Sequence, residues 1–332
     1  MYYPKIFIIF AASLNETFRK MNLLNFTTTF PDEESCKRKW KEMRDRQGVI
    51  CLHCGGLSHY WKSDKECYEC KQCQYRQSLR SNTIMHRSQL PFRYWFVAIH
   101  LLTSTKKSFS ARELQRQLGH KFYEPIWALL HKLRSAMGKR DARYELSGII
   151  ELDEGFFSTE IENDQKGKAL KRGRGSQKKS KVLVMAESIP VEDDSRPGGK
   201  GRKVNHIKMF VIEDLKAKTI DGKVSENVNE TSVIDSDHST SYTTLHKLVA
   251  QHRPKVIPKE DAGKALPWVH IAISNAKRML LSVFHDIKPE YLQNYLNEYC
   301  YKFNRRYFGE RQFDRLLVAA VTCKNEFRYH IR

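Results

Sequence analysis

A short stretch near the middle of the chain alternates apolar and acidic residues as a half-buried β-strand does. In Gly148–Phe157, Ile150 and Leu152 alternate with Glu151 and Asp153. A carboxylate among apolar neighbours is costly to bury unless a cation, a partner or water compensates its charge. We therefore expect Asp153 to be a ligand of a divalent metal ion. The alternative is an exposed acidic strand end beside a turn.

Further strands are predicted after this stretch, as an antiparallel meander followed by a short fourth strand. Their apolar runs are Val182–Ala186, Ile207–Ile212 and Ser232–Ile234. Asp237 comes just after the fourth strand, which is a suitable place for a second metal ligand. Alternatively, Asp237 or Ser239 only caps a helix that continues through Tyr242.

Helical patterns come before and after these strands. Residues 31–47 are predicted as a lead-in helix, and an apolar helix is predicted from Pro91 to about Leu102. A mostly apolar helix is expected from Trp268 onward. An amphipathic helix through Tyr295 follows it and ends in Phe303–Arg306, a basic end suited to phosphates.

Two helices joined by a glycine-containing turn lie between these regions. Ser110 would cap the first helix and Gly119 would end it. The second helix is expected to turn its basic residues outward, and these are Lys132, Arg134, Lys139 and Arg140. The pair fits a helix-turn-helix. The alternative is a plain helical hairpin that serves as a linker.

Five of the eight cysteines fall between Cys51 and Cys73. Two Cys-x-x-Cys turns can supply the four ligands of a tetrahedral zinc site. Pairing Cys70 with Cys73 leaves a spacing to Cys54 that is usual for a zinc ribbon. We therefore predict Cys51, Cys54, Cys70 and Cys73 as structural Zn²⁺ ligands, with Cys67 as a spare. A ribbon this small would depend on its metal for stability.

The charge balance indicates the partner. Lys and Arg number 58 against 38 acidic residues, a net charge of +20. This excess favours a polyanion, nucleic acid first and a membrane surface second. The clustered cysteines favour metal binding in a reducing compartment, hence the cytoplasm.

Two further segments bear on the interpretation. The apolar run Ile6–Ala12 is too short to span a bilayer and resembles only a weak signal peptide. Met21 is a plausible alternative start. The loop 166–181 holds eight basic residues and no acid, so it either follows a phosphate backbone or is simply solvated.

Taken in order, these motifs resemble insertion-sequence transposases of the DDE superfamily, in the ISXO2-like group with an amino-terminal zinc ribbon and often Asn at the third catalytic position. The matching pieces are the ribbon, the strand at Asp153, Asp237 with Tyr242, Trp268-Val-His270, Ser274-Asn275-Ala-Lys277-Arg278, His285, and the segment from Tyr295 to Arg306. The resemblance covers roughly residues 31–320. Asn82 departs from it, because the group often has Gly there.

The resemblance implies an RNase H-like catalytic domain whose active site is Asp153, Asp237 and Asn275, with Lys277 as an associated basic residue. Asp235 is an alternative to Asp237 for the second active-site position. The spacing to Tyr242 favours Asp237. The three active-site residues would hold Mg²⁺ or Mn²⁺ for two-metal phosphoryl chemistry. Positions two apart on a helix do not share a face, so Lys277 is expected to contact DNA rather than the ions.

The fold class that we expect is α+β and multidomain. Its segments are an extension and lead-in helix (1–47), a zinc ribbon (48–80), a helical DNA-binding segment (88–142), the RNase H-like domain (148–308) and a carboxyl-terminal tail (309–332). The expected partners are double-stranded DNA, as element ends and target, and further copies of the chain in a homodimer or higher oligomer on DNA, without a membrane. The alternatives are a DNA-binding protein with an inactive catalytic remnant and an RNase H-like nuclease.

Overall fold

The computed structural model describes residues 21–161, 176–191, 201–256 and 265–327, together with positions 167, 169, 171 and 173. The apolar run Ile6–Ala12, much of the basic loop 166–181 and the last residues of the tail lie outside the described residues. None of the helices described is long and apolar enough to cross a membrane.

The amino-terminal part combines helices with a small sheet. Its elements are α1 (Leu23–Thr29), α2 (Glu33–Gln47), β1 (His59–Lys62), β2 (Cys67–Cys70) and β3 (Arg76–Ser78). The three strands form an antiparallel sheet in the order β1-β2-β3. Helix α2 begins at a capping box in which Asp32 accepts a 2.8 Å hydrogen bond from the N–H of Ser35. The predicted lead-in helix is thereby confirmed.

A helical segment follows the small sheet. It contains α3 (Phe92–Ser104), α4 (Ala111–Leu118) and α5 (Tyr123–Asp141). The Ser110 hydroxyl accepts the N–H of Glu113 at 3.1 Å, and Gly119 takes a left-handed φ of 61° where α4 ends. Both predicted helix-end signals are present.

The first hydrophobic core joins the two ends of the chain. It packs α2, α3 and α5 against α9 (Gln312–Thr322), which lies within the segment expected to be a tail. Its fully buried members include Trp40, Trp95, Phe96, Ile99, Leu133, Phe313 and Leu317. Helix α9 is therefore part of the amino-terminal core, although its sequence lies after the catalytic domain.

The larger sheet has five strands. They are β4 (Ile149–Ser158), β5 (Lys179–Pro190), β6 (Arg202–Ile212), β7 (Val233–Asp237) and β8 (Gln251–Lys255). Their order is β6-β5-β4-β7-β8, with antiparallel pairing from β6 to β4 and parallel pairing from β4 to β8. The predicted meander and fourth strand are confirmed. This mixed sheet with helices on both faces has the architecture expected of an RNase H-like domain, and the α+β fold class is confirmed.

The two faces of the sheet pack against different helices. One face, with Phe157 and Val184, is covered by α7 (Pro267–Leu281) and α8 (Pro289–Asn304). The other face, with Ile150 and Leu152, is covered by α6 (Ala217–Asn227) and by Tyr242. Because side chains alternate along a strand, Asp153 lies on the face of α7. The alternative helix through Tyr242 is replaced by two 3₁₀ turns.

A buried ion cluster joins the helical segment to the catalytic domain. On α8, Glu298 accepts a 2.8 Å hydrogen bond from Nε of Arg134 and lies 2.9 Å from Nζ of Lys302. Burial alone would raise the pKa of Glu298, but Lys302 and Arg134 lower it to about 2. The prediction that Arg134 faces outward is therefore wrong. Lys132, also expected outside, donates to the carbonyl of His86. Both are drawn inward because α5 is packed on several sides.

Candidate functional site

The four predicted zinc ligands converge at the end of the small sheet. The Sγ atoms of Cys51, Cys54, Cys70 and Cys73 all lie within 4.8 Å of one another. Cys67, the predicted spare, is buried in β2 and is not part of this group. Within the described chain, this is the one group of three or more thiol, imidazole or carboxylate ligands that is already gathered so closely.

The two cysteine turns have the same backbone pattern. The N–H of Cys51 donates to the carbonyl of Gly56, and the N–H of Cys70 donates to that of Tyr75, both at 2.9 Å. Although burial opposes it, hydrogen bonds from the N–H groups of Cys54 and His53 lower the pKa of Cys51 to about 6. Four converging thiols, one with a stabilised thiolate, match the donor set of a structural zinc site.

Asp153 and Asp237 lie side by side where two parallel strands run together. Leu152 of β4 is paired with Ser236 of β7, and each aspartate is the next residue on its strand. Neighbours in register on parallel strands point to the same face, with backbones about 4.8 Å apart. The charges of both aspartates also act on the phenol of Tyr242. The structure therefore brings these two predicted site residues together.

Asp235 lies on the same strand but is already engaged. Its Oδ1 lies 3.2 Å from Nε of Arg253, and its Oδ2 lies 3.1 Å from Nζ of Lys255. Asp237 instead stands at the end of β7, where its Oδ1 accepts the N–H of Ser239 at 3.1 Å. The geometry thus favours Asp237 over Asp235, as the spacing to Tyr242 does.

Tyr242 ties the segment after Asp237 to the strand of Asp153. Its hydroxyl donates a 2.6 Å hydrogen bond to Oε1 of Glu154. The ring is almost completely buried, and burial together with the charge of Glu154 raises the pKa of Tyr242 far above its usual value. The phenol therefore stays protonated as a donor, and it fixes the two strand ends relative to each other.

Helix α7 is anchored on β4 by a buried carboxylate. Oε2 of Glu151 accepts the N–H groups of Trp268 and Val269, at 2.7 and 3.0 Å. These are donors of the first helical turn, which have no partner within the helix. Further along, Ile273 packs against Gly155, where an added Cβ would lie 3.4 Å from Ile273. Glu151 thus holds the start of α7 on the strand, and Gly155 leaves room for Ile273.

The stripe of α7 that faces β4 carries His270 and Lys277. Nδ1 of His270 lies 3.8 Å from Oδ2 of Asp153. Nζ of Lys277 lies 5.5 Å from the centroid of the Phe157 ring, and burial, with a contribution from Lys179, lowers its pKa. Lys277 therefore lies along the same strand as Asp153, four residues beyond it.

Asn275 lies elsewhere on the helix. It is exposed, and it lines a cleft of about 1220 Å³ between α7, α8 and the amino-terminal helices. Its neighbours along the cleft include Arg278 on its own helix and Lys106 after α3. The structure does not place Asn275 on the stripe that faces Asp153, so its role as third ligand stays a prediction.

The basic end of α8 is already occupied by contacts within the protein. Arg305 is buried and lies 2.5 Å from Oδ1 of Asp141. Arg306 donates to the backbone carbonyls of Asn205 and Val204 on β6. Arg305 is therefore not available for phosphates, whereas a phosphate contact of the half-exposed Arg306 stays a prediction.

Comparison with known proteins gives one family match, over the larger sheet and its helices. Residues 145–304 match the model of the ISXO2-like transposase domain. The match supports a transposase function and thus a DNA-cleaving and strand-transferring enzyme. No curated protein matches the chain.

Solved structures of Mos1 transposase are similar to the chain at low identity. They are the Mos1 strand transfer complex (15% identity, TM-score 0.27, covering 71% of this chain and 81% of that chain), a pre-cleavage Mos1 transpososome (11%, 0.26, 71% and 81%), and the Mos1 paired-end complex with left transposon end (14%, 0.27, 72% and 82%). At such TM-scores these likenesses carry no argument of their own.

Sequence reasoning missed three residues that organise this site. Glu151 and Glu154 were seen only as members of an acidic stretch, and His270 only as part of a motif. Helical spacing would have placed His270 on the same face of its helix as Lys277, because the two are seven residues apart.

Proposed function

We propose that this chain is a divalent-metal-dependent transposase that cuts DNA at the ends of a mobile element and joins them to a target. The observation that carries the proposal is the pair Asp153 and Asp237, in register on adjoining parallel strands of an ISXO2-like transposase domain. Carboxylate oxygens are the donors that Mg²⁺ and Mn²⁺ prefer.

Asp153 and Asp237 would hold the catalytic ions in this proposal. When bound, such ions activate the attacking water or DNA 3′-hydroxyl and stabilise the leaving oxygen. The carboxylates are held in place by the protein, Asp153 on a central strand and Asp237 by the N–H of Ser239. Asn275 is the sequence-based candidate for the third ligand, and Asn275→Ala tests it.

Lys277 would contact a DNA phosphate rather than an ion. Its ammonium group is half-buried beside Phe157, on the stripe of α7 that faces the strand of Asp153. A cation held there is suited to orient a phosphate near the carboxylates. The net charge of +20 supplies the general attraction to DNA.

The four cysteines would hold a structural Zn²⁺ ion. Zinc would fix the ribbon, which has little apolar area of its own to bury. We also propose that the chain works as a homodimer or higher oligomer on DNA, because an element has two ends and each must be cut and joined.

A matched pair of variants tests the proposal. Asp237→Asn should reduce cleavage by more than about a hundredfold. Loss of a residue that only hydrogen-bonds a metal ligand costs up to about that much, and a direct ligand should cost more. Asp235→Asn, on the same strand, should retain cleavage but lower the melting temperature, since Arg253 and Lys255 lose their partner. Unchanged cleavage in Asp237→Asn would contradict the assignment. Cut but unjoined products from the wild type would indicate a nuclease, and binding without cleavage would indicate a DNA-binding protein.

A further inference from the structure

His270 lies nearer to Asp153 than its place in the sequence suggests. Its Nδ1 is 3.8 Å from Oδ2 of Asp153, which is close enough for one metal ion to be bound by both atoms. The imidazole is about one-third exposed, at 36%, and the Asp153 side chain is 17% exposed. The two groups therefore meet at a partly open surface, where a substrate can approach them.

Helix geometry separates His270 from Asn275. Successive residues turn by about 100°, so Asn275, five residues on, lies about 140° around the helix from His270. Ser274 and Lys277, four and seven residues on, stay within about 40° of it. This agrees with the observed places of Lys277 beside Phe157 on β4 and of Asn275 in the cleft with Arg278.

The first turn of α7 is held firmly enough to fix the position of His270. Glu151, two residues before Asp153 on β4, accepts the N–H groups of Trp268 and Val269. Gly155, two residues after Asp153, faces Ile273, which would lie 3.4 Å from a Cβ added at Gly155. The strand thus contacts the helix on both sides of Asp153, and His270 lies between the two contacts.

We infer that His270 is the third protein ligand of the catalytic metal site, and that Asn275 belongs to the cleft instead. The inference rests on the proposed function of Asp153 and Asp237. An imidazole nitrogen suits the later divalent ions of the first transition row better than Mg²⁺. The site therefore has a preference for Mn²⁺ over Mg²⁺ that a site with oxygen ligands alone would lack.

A spectroscopic test uses the full chain with zinc in its ribbon, and Mn²⁺ is the one further metal ion that is added. Electron spin-echo modulation detects a ¹⁴N nucleus bonded directly to Mn²⁺. The wild type should show this coupling, His270→Ala should lose it together with about tenfold or more in Mn²⁺ affinity, and Asn275→Ala should keep both. The inference would be overturned if the ¹⁴N coupling were unchanged in His270→Ala or if it were lost in Asn275→Ala.

The Asp153→Ala variant distinguishes failure of this inference from failure of the proposed function. If Mn²⁺ binding does not depend on Asp153, the proposed metal site itself is wrong. If binding depends on Asp153 but not on His270, only the third ligand is wrong.

A substitution that exchanges the donor atom gives a second readout. His270→Glu provides a carboxylate from the same position on α7, so the ratio of Mg²⁺-supported to Mn²⁺-supported DNA cleavage should rise by about tenfold or more. Asn275→Glu is the control, and it should leave the ratio as in the wild type. A ratio that changes only in Asn275→Glu would reverse the assignment.

Discussion

The hydroxyl of Tyr242 donates a 2.6 Å hydrogen bond to Oε1 of Glu154, and this bond connects the two strand ends on which the candidate site is built. Glu154 directly follows Asp153 on β4, and Tyr242 lies five residues after Asp237. The ring of Tyr242 is almost completely buried, so its hydroxyl would lose a buried hydrogen bond if this bond were broken. We expect this bond to position the two aspartates.

Replacing Tyr242 by Phe should test this positioning. We expect the loss of the hydroxyl to cost about 1–3 kcal/mol, because Glu154 loses a buried partner. Cleavage should fall on the order of tenfold or more, since small displacements of reacting groups are costly. Tyr301→Phe is the matched control, because its ring is fully buried and its hydroxyl has no hydrogen-bond partner among the described residues. Equal losses in the two variants would count against a positioning role.

The anchor of α7 on β4 gives a second prediction. Glu151→Ala removes the acceptor of two N–H groups at the start of α7, and it should lower the free energy of unfolding by about 1–2 kcal/mol. It should also reduce DNA cleavage, because His270 and Lys277 are no longer held toward Asp153. Differential scanning calorimetry and a cleavage assay measure the two effects.

Glu33 offers a control for that variant. Its two carboxylate oxygens accept the N–H groups of Phe92 and Arg93 at the start of α3, at 2.8 and 2.9 Å. Glu33→Ala should therefore be destabilised to a similar extent but should cut DNA at the wild-type rate once folded. A parallel loss of cleavage in both variants would show that stability alone explains the effect of Glu151→Ala.

The ribbon gives a third prediction, on metal content and DNA binding. Cys51→Ser should lose the bound zinc and the binding of element-end DNA, while the catalytic domain keeps its fold. Cys67→Ala should keep one zinc per chain, because Cys67 lies outside the group of converging thiols. Atomic absorption and a gel-shift assay make the comparison. Intact end binding by a zinc-free Cys51→Ser protein would contradict the role of the ribbon.

A fourth prediction concerns pH and His131, whose ring lies on α5 among aromatic side chains. Burial, with the charge of Arg134, lowers the pKa of His131 to about 2, and its ring centroid lies 4.1 Å from that of Trp127. Below an ordinary histidine pKa of about 6.5, the unfolded chain therefore binds a proton that the folded chain does not. The free energy of unfolding therefore has its full value, as far as His131 is concerned, above that pH. It falls progressively as the pH is lowered toward 2.

The size of the effect can be measured against His131→Phe. One such proton lowers the free energy of unfolding by about 1.4 kcal/mol per pH unit, or about 2 kcal/mol between pH 6.5 and 5. Urea unfolding of the wild type should show this slope as part of its pH dependence, and His131→Phe should show a slope smaller by that amount. Identical slopes would mean that His131 is protonated in the folded protein.

Local signals in the sequence predicted much of the fold. Alternation predicted β4, and apolar runs predicted the meander. Cap residues predicted both ends of α4, and the spacing of the cysteines separated Cys70 and Cys73 from Cys67. Each of these signals acts within one element or one turn. This is why they could be recognised without knowing how the chain packs.

Features that depend on distant partners could not be predicted in this way. Arg134 has the pattern of a surface residue, and only its partner Glu298, on α8, explains its burial. Helix α9 was not recognised because its apolar face is completed by residues of α2 and α3, far away in the sequence. The choice between His270 and Asn275 needs the direction of α7 on the sheet, which Glu151 sets.

The most direct measurement is a joining assay on DNA that carries the element's own ends, with Mg²⁺ or Mn²⁺ and with Asp153→Ala as the control. The account predicts that the wild type cuts the ends and joins them to target DNA only when the metal is present. It also predicts that Asp153→Ala binds the same DNA and yields neither product. Joined products of equal amount from Asp153→Ala, or from the wild type in excess EDTA, would contradict the account.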